Sequence, residues 1–358
     1  MRLFRGLLLL LFFAFPAVFS ETTVFDSDAK YKNFCAAKDE DFPEFYENVI
    51  TPLMDSVQKT GTIKTKKGTR LQYYFYPAEN PRGTVVVFHG FSEYGKKFLE
   101  TAYYFRQEGF NVCLFDHRGH GYSTRDIPED LSKVYISDFD IYVSDAKDLL
   151  EQIVIPESKD LPLVLFAHSM GGCIGVRFLE TYPEYFDTAV LNAPMLEIEL
   201  GNYPGFIASA IANGAVLFGM EEKYVPGHTA YNPEEEFKPE EEYLYSKTRN
   251  YEIYKQRKQD VMYQTNGATY KWLSESMKAT KEALKKQNTQ KIRIPVLLFQ
   301  ADHDVYVRPE GQNKLQRAVS SLQLVFCPGT LHEMYLGPDD FLTAYYSTIF
   351  NFIDDNLK

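Results

Sequence analysis

The chain is poor in several features that mark whole classes of protein. It has only 4 cysteines in 358 residues, too few and too scattered for a disulfide framework. Cys113, Cys173 and Cys327 sit inside apolar strand or helix patterns and read as small buried side chains, and Cys35 reads as a free thiol. No Cys/His spacing fits a zinc site. Basic excess is missing as well: 38 Lys and Arg face 49 Asp and Glu, for a net charge of −11. That charge excludes an electrostatic grip on nucleic acid and speaks against docking on anionic lipid by charge. There is no internal repeat and no long low-complexity segment.

Long apolar runs are also scarce, and the clearest one opens the chain. Met1-Arg2-Leu3-Phe4-Arg5 is followed by an apolar stretch from Gly6 to Phe15 and then by Pro16-Ala17-Val18-Phe19-Ser20. A charged start, a short apolar core and small residues near a cleavage point make a secretory signal. Residues 1–20 are expected to be removed after Ser20, or after Ala17. The stretch is shorter than the ~20 apolar residues a membrane span needs, so an uncleaved anchor is the lesser alternative. No Cys stands at the cleavage point, against a lipoprotein. The expected compartment is periplasmic or extracellular.

What is present is a large potential core, 45% hydrophobic and 15% aromatic. Residues 21–60 read as an N-terminal extension with mixed helical signals. From Thr62 strands and helices alternate. Leu71–Tyr76 alternates in polarity and reads as an edge strand. Thr84–Phe88, Asn111–Phe115, Leu161–Phe166, Thr188–Leu191, Ile294–Phe299 and Leu322–Phe326 read as further strands. Lys97–Glu108 and Asp138–Ile153 read as helices. Strands alternating with helices imply an α/β fold, a mostly parallel sheet with helices on both faces. The alternation breaks over 194–290, which has helical patterns, an acidic run at 234–242 and the apolar stretch Phe206–Ala212. This segment reads as a helical cap inserted between two parts of the core, 61–193 and 291–358. The acidic run reads as a solvated face. The apolar stretch reads first as ordinary cap core, with an acyl-chain channel or a membrane-facing lip as alternatives.

The chemistry centres on Ala167-His168-Ser169-Met170-Gly171-Gly172, between a buried strand and a helix. A serine at such a sharp turn is a nucleophile elbow, and small neighbours are needed because backbone approaches backbone there. Nucleophilic serine chemistry also needs a base, an acid that orients it, and donors for the oxyanion. In this architecture they follow in the order Ser, acid, His. Gln300-Ala301-Asp302-His303-Asp304 lies just past a strand, at the crevice where such sheets bind ligands. Asp304 is preferred to Asp302 because it precedes Val305-Tyr306-Val307, which should re-enter the core. His332 is one of 7 histidines and the only one after the acid loop, and it is the expected base. The backbone N–H of Met170 and one from His89-Gly90-Phe91-Ser92-Glu93, namely that of Phe91, are the expected oxyanion donors. His89 reads as a loop-shaping residue. Asp116-His117-Arg118-Gly119-His120-Gly121 superficially suggests a metal site, but its glycines and loop context favour a folded turn.

The His-Gly loop at 89–90, the run at 116–121, Ala167–Gly172 and Leu191-Asn192-Ala193-Pro194-Met195 occur in order. Together they resemble the lysophospholipase L2 and monoacylglycerol lipase branch of the α/β-hydrolases, which are serine aminopeptidase S33-like hydrolases. Phe42-Pro43-Glu44-Phe45-Tyr46 and Gly267–Leu273 bring the chain nearer to the lysophospholipase L2 group. The resemblance implies Ser169 as nucleophile, Asp304 as acid, His332 as base, and Phe91 and Met170 as oxyanion donors. The chain departs from the monoacylglycerol lipase pattern in its oxyanion loop, His-Gly-Phe-Ser-Glu-Tyr in place of His-Gly-x-Gly-Glu-His. The implied activity is hydrolysis of the carboxylic ester of a single-chain lipid without a cofactor or metal. A lysophospholipid is the first expectation and a monoacylglycerol or short-chain ester the second, with transient contact at a membrane surface. An S33-type aminopeptidase and a non-catalytic lipid binder are the rival expectations.

Overall fold

The computed structural model describes residues 22–201 and 203–357. The signal-peptide expectation for residues 1–20 lies outside them. Among the described residues there are eleven strands: β1 (Thr22–Val24), β2 (Lys59–Lys64), β3 (Arg70–Tyr76), β4 (Gly83–Phe88), β5 (Phe110–Phe115), β6 (Lys133–Val134), β7 (Leu163–His168), β8 (Thr188–Asn192), β9 (Gly267–Ala268), β10 (Val296–His303) and β11 (Leu322–Leu331). Nine of them form one sheet in the order β1-β11-β10-β8-β7-β4-β5-β3-β2. Pairing is parallel from β1 to β5 across that order and antiparallel for β5/β3 and β3/β2. Every residue of β4, β5, β7 and β8 is buried. Uninterrupted burial follows from layers on both faces of a parallel sheet, and it explains why these strands read as continuous apolar runs.

The longer helices are α1 (Leu99–Gln107), α2 (Asp140–Leu149), α3 (Met170–Thr181), α4 (Gly205–Leu217), α5 (Lys247–Gln259), α6 (Tyr270–Ala283), α7 (Pro309–Ala318) and α8 (Asp339–Asn356). Segment 194–290 gives no strand to the large sheet. Its two-residue β9 pairs only with β6. No helix among the described residues is long and apolar enough to cross a membrane.

Two expectations are corrected. Leu71–Tyr76 is not at an edge, because β3 lies between β5 and β2. The true edges both come from the N-terminal stretch: β1 pairs with β11 and β2 with β3. β2 reads Lys-Thr-Gly-Thr-Ile-Lys, with a single buried residue, Ile63. An edge strand is held by backbone pairing, so it carries little apolar signal. The second is that the stretch 206–212 is not cap core. In α4 only Ala212 and Ala215 are buried, whereas Phe206 is 75% and Leu217 81% exposed. Helical periodicity does not tell an apolar face against protein from one left open.

The N-terminal stretch is also tied to the rest by a buried arginine. Arg249 of α5 is 1% exposed. Its Nε donates to Glu100 of α1 at 3.0 Å, its Nη2 to the Ala37 carbonyl at 2.6 Å, and its Nη1 to Asp39. A guanidinium out of water is tolerated only when its donors are matched in this way.

Candidate active site

Ser169 sits between the last residue of β7 and the first of α3, with φ 51° and ψ −117°. A side chain in this region costs roughly 1–3 kcal/mol and persists only where its surroundings hold it. Here the Ser169 N–H donates to the Asn192 carbonyl at 3.0 Å, and its carbonyl accepts from Met195 at 2.8 Å and Cys173 at 3.2 Å. Asn192 is fixed in turn, its Nδ2 donating to the Ala167 carbonyl at 3.2 Å and its Oδ1 accepting from Tyr345. Gly171 is required by close approach: a Cβ there would lie 2.1 Å from the Phe88 carbonyl oxygen.

β10 ends at His303 and β11 at Leu331, so Asp304 and His332 lie at the carboxyl ends of parallel strands, as Ser169 does after β7. His332 Nδ1 and Asp304 Oδ2 are 2.6 Å apart, with both side chains buried. With the carboxylate as acceptor, Nδ1 carries the proton and Nε2 is left as the basic nitrogen. Asp304 Oδ1 accepts from the backbone N–H groups of Tyr306 at 2.9 Å and Val307 at 3.0 Å. Burial raises the Asp304 pKa, but the His332 hydrogen bond and charge and these two N–H groups outweigh it, leaving the carboxyl below its ordinary value. Asp302 is placed elsewhere. It is exposed and accepts from the Gly329 N–H at 3.0 Å.

Phe91 follows β4, the neighbour of β7. Among the described residues, the Phe91 N–H has no hydrogen-bond acceptor. The Met170 N–H, at the first position of α3, has none either, as geometry dictates for a helix start. Gly90 lets the two loops close, since a Cβ there would stand 3.1 Å from the Ser169 Cβ. Two unpaired N–H groups beside a strained serine can hold a developing oxyanion.

Residues not singled out from the sequence lock these loops together. Glu93 is buried, and its Oε2 accepts from the Gly90 N–H and lies 3.0 Å from His168 Nδ1. Its Oε1 accepts from Lys97 at 2.8 Å and from the Tyr335 hydroxyl. His168 Nε2 lies 3.2 Å from the His332 carbonyl and donates to it. One carboxylate thus joins the oxyanion loop, the nucleophile elbow and the base loop. Burial alone would raise the Glu93 pKa, but Lys97 and His168 hold it well below the ordinary carboxylate value. Burial opposes a charged His168, yet Glu93 raises its pKa above the usual imidazole value. The one signal in the sequence was a Glu and a Lys four residues apart beside the His-Gly loop.

His89 ties two loops. Its Nδ1 donates to the Gly90 carbonyl at 2.8 Å and its Nε2 accepts from the His117 N–H at 2.9 Å. Burial holds its pKa down at about 4, the neutral form those two bonds require. Asp116 shapes the following turn, accepting from the N–H groups of Gly95 at 2.7 Å and Tyr122 at 2.8 Å.

Comparison with known proteins agrees with this architecture. The family model described as serine aminopeptidase, S33 matches residues 79–339. The chain is 27% identical over 316 residues to a probable lysophospholipase L2 of Haemophilus influenzae, covering 87% of this chain and 98% of that one. It is 26% identical over 275 residues to a monoacylglycerol lipase of Mycolicibacterium smegmatis, covering 76% and 89%. Among solved structures, a carboxyl esterase from Bacillus coagulans in complex with glycerol superimposes with a TM-score of 0.67 at 19% identity, over 84% of this chain and 99% of that one. The fold is that of the α/β-hydrolases, and the chain belongs to the serine aminopeptidase S33 family.

Proposed function

We propose that this member of the S33 family is a hydrolase of the carboxylic ester of a single-chain lipid, acting on a lysophospholipid first and a monoacylglycerol second. The observations that support the reading are the His332–Asp304 hydrogen bond at 2.6 Å, the strained backbone of Ser169 at the turn after β7, and the unpaired N–H groups of Phe91 and Met170. The names of the relatives support the ester-lipid class. In the proposed reaction His332 Nε2 takes the Ser169 proton as Oγ attacks the ester carbonyl. The N–H groups of Phe91 and Met170 receive the oxyanion. His332 then gives the proton to the departing glycerol oxygen, leaving an acyl-serine. Water, deprotonated by His332, releases the fatty acid and restores the serine. Asp304 holds the imidazole tautomer and balances the imidazolium.

The exposed apolar side of α4 supports a transient contact with a lipid surface, from which the substrate would come. Export through residues 1–20 remains part of the proposal, and N-terminal sequencing of the mature protein tests it.

The deciding measurement is fatty-acid release from lysophosphatidylcholine and monooleoylglycerol side by side, with Ser169→Ala and an aminoacyl p-nitroanilide as controls. Faster release from the lysophospholipid, lost in the variant and with the anilide untouched, is expected. Preference for the monoacylglycerol would reverse the ranking. Turnover of the anilide alone would make the protein a peptidase.

A further inference from the structure

A cavity of about 320 Å³ has Ser92 and Glu333, the residues after Phe91 and His332, in its wall. Tyr94 and Lys97 also line it, the remainder comes from segment 231–257, and charges of both signs are present. Arg257, in the last turn of α5, donates Nη2 to the Thr265 carbonyl at 2.9 Å and Nε to the Tyr263 carbonyl at 3.3 Å. Its guanidinium lies 4.8 Å from the centre of the Tyr231 ring. Among the described residues it has no carboxylate partner, and its Nη1 donates to nothing. Lys97 on the same cavity differs, being neutralised by Glu93 at 2.8 Å and Glu333 at 2.6 Å. Arg257 is therefore a positioned positive charge with a donor to spare, suited to a phosphate oxygen. On the same wall Glu235 and Glu236 are exposed and in no ion pair among the described residues. Phe237 and Tyr254 stand beside them with ring centres 5.5 Å apart. Carboxylates next to aromatic rings suit an ammonium.

We propose that this cavity receives the zwitterionic phospho-head group of the lipid, with Arg257 taking the phosphate and Glu235 and Glu236 the ammonium. The proposal rests on the ester-hydrolase reading and names its substrate more closely. In a lysophospholipid only the glycerol carbons separate the scissile ester from the phosphate. The wall of the cavity includes the residues next to Phe91 and His332 in the chain, and the Arg257 charge acts on Tyr306, whose ring centre is 5.1 Å from that of His332, which is the proximity such a substrate needs. A neutral monoacylglycerol would leave Arg257 uncompensated. Arg257 thus acts as a specificity-determining residue.

The test compares the full chain with Arg257→Gln and Arg257→Lys on 1-palmitoyl-lysophosphatidylcholine and 1-monopalmitoylglycerol, which share the ester and differ in the head. The ratio of kcat/KM for the first over the second is expected to fall about 10- to 100-fold in the Gln variant and to recover in part with Lys, the range for a lost charge-assisted hydrogen bond. An unchanged ratio, as when both substrates suffer equally, would mean that Arg257 only supports its loop and would overturn the proposal. The Glu235→Gln/Glu236→Gln double variant should weaken lysophosphatidylcholine but spare lysophosphatidylglycerol, which has no ammonium. Equal effects on both would remove the acidic half of the proposal. Calorimetric titration with glycerophosphocholine, inorganic phosphate and choline reads the site without turnover. Tighter binding of glycerophosphocholine than of either piece, lost in Arg257→Gln, supports the head-group site. Binding of inorganic phosphate as tight as that of glycerophosphocholine would make it a free-phosphate site and overturn the proposal. Absence of Ser169-dependent fatty-acid release alongside intact titration would instead count against the ester-hydrolase reading.

Discussion

At the scale of single residues, three side chains divide the proposed chemistry, and each can be tested separately. Replacing Asp304 by Asn keeps the shape but removes the charge that fixes the tautomer. Ester turnover should fall by about 10⁴-fold in kcat, while Asp302→Asn should leave it within about twofold, since Asp302 bonds the Gly329 N–H instead. The Asp304 carboxyl lies below its ordinary value in the folded protein. A lowered folded-state pKa contributes stability above the unfolded carboxylate value and loses it as pH falls through the folded value. The melting temperatures of the native protein and Asp304→Asn should therefore draw together on acidification below about pH 4. A constant gap across that range would contradict the sign. The positions of Ser169, Asp304 and His332 just past strands were legible in the sequence because each follows an apolar run, and strand ends mark the crevice of a parallel sheet. Glu93 and His168 were not. They lie 75 residues apart in the chain, and only the adjacency of β4 and β7 makes them a pair.

At the scale of elements, the elbow depends on how closely α3 can approach β4. Gly171→Ala would press a methyl group into the Phe88 carbonyl. We expect a loss of about 1–3 kcal/mol of stability, measured by denaturant unfolding, with a slower acylation of Ser169 by a fluorophosphonate probe. Unchanged stability and labelling would show that the approach is looser than described. The central strands were legible because burial on both faces leaves an unbroken apolar run. β1 and β2 were not, because edge strands are read through their backbones. α4 was legible as an apolar helix but not as an exposed one, since composition does not say which solvent an apolar face meets. Arg249 links elements that the sequence separated into an extension, a core and a cap. Arg249→Met leaves the Glu100 and Asp39 carboxylates without their counter-charge. Unfolding free energy should drop by about 3–5 kcal/mol, as for other broken buried ion pairs. A drop below 1 kcal/mol would show that the staple adds little.

For the whole molecule, the relevant contrast is between a net charge of −11 and an apolar ridge at α4. If α4 meets lipid, the attraction must be hydrophobic, because the overall field repels an anionic surface. Partition onto phosphatidylcholine vesicles should then change little between roughly 0.05 and 0.5 M salt, a range over which the screening length shrinks severalfold. It should fall when Phe206, Leu217 and Phe218 are replaced by Asp. Sedimentation with vesicles reads both. Binding that disappears with salt but survives those substitutions would assign the contact to another surface.

The pairing of β1 with β11 has a consequence in time. Thr22 and Leu324 are neighbours in the finished sheet but are made about 300 residues apart. One border of the sheet must wait, unpaired, until Leu322–Leu331 has been made. Closing so large a loop is slow. That border is therefore the last that can close, after the strands between Arg70 and Asn192, which pair among themselves.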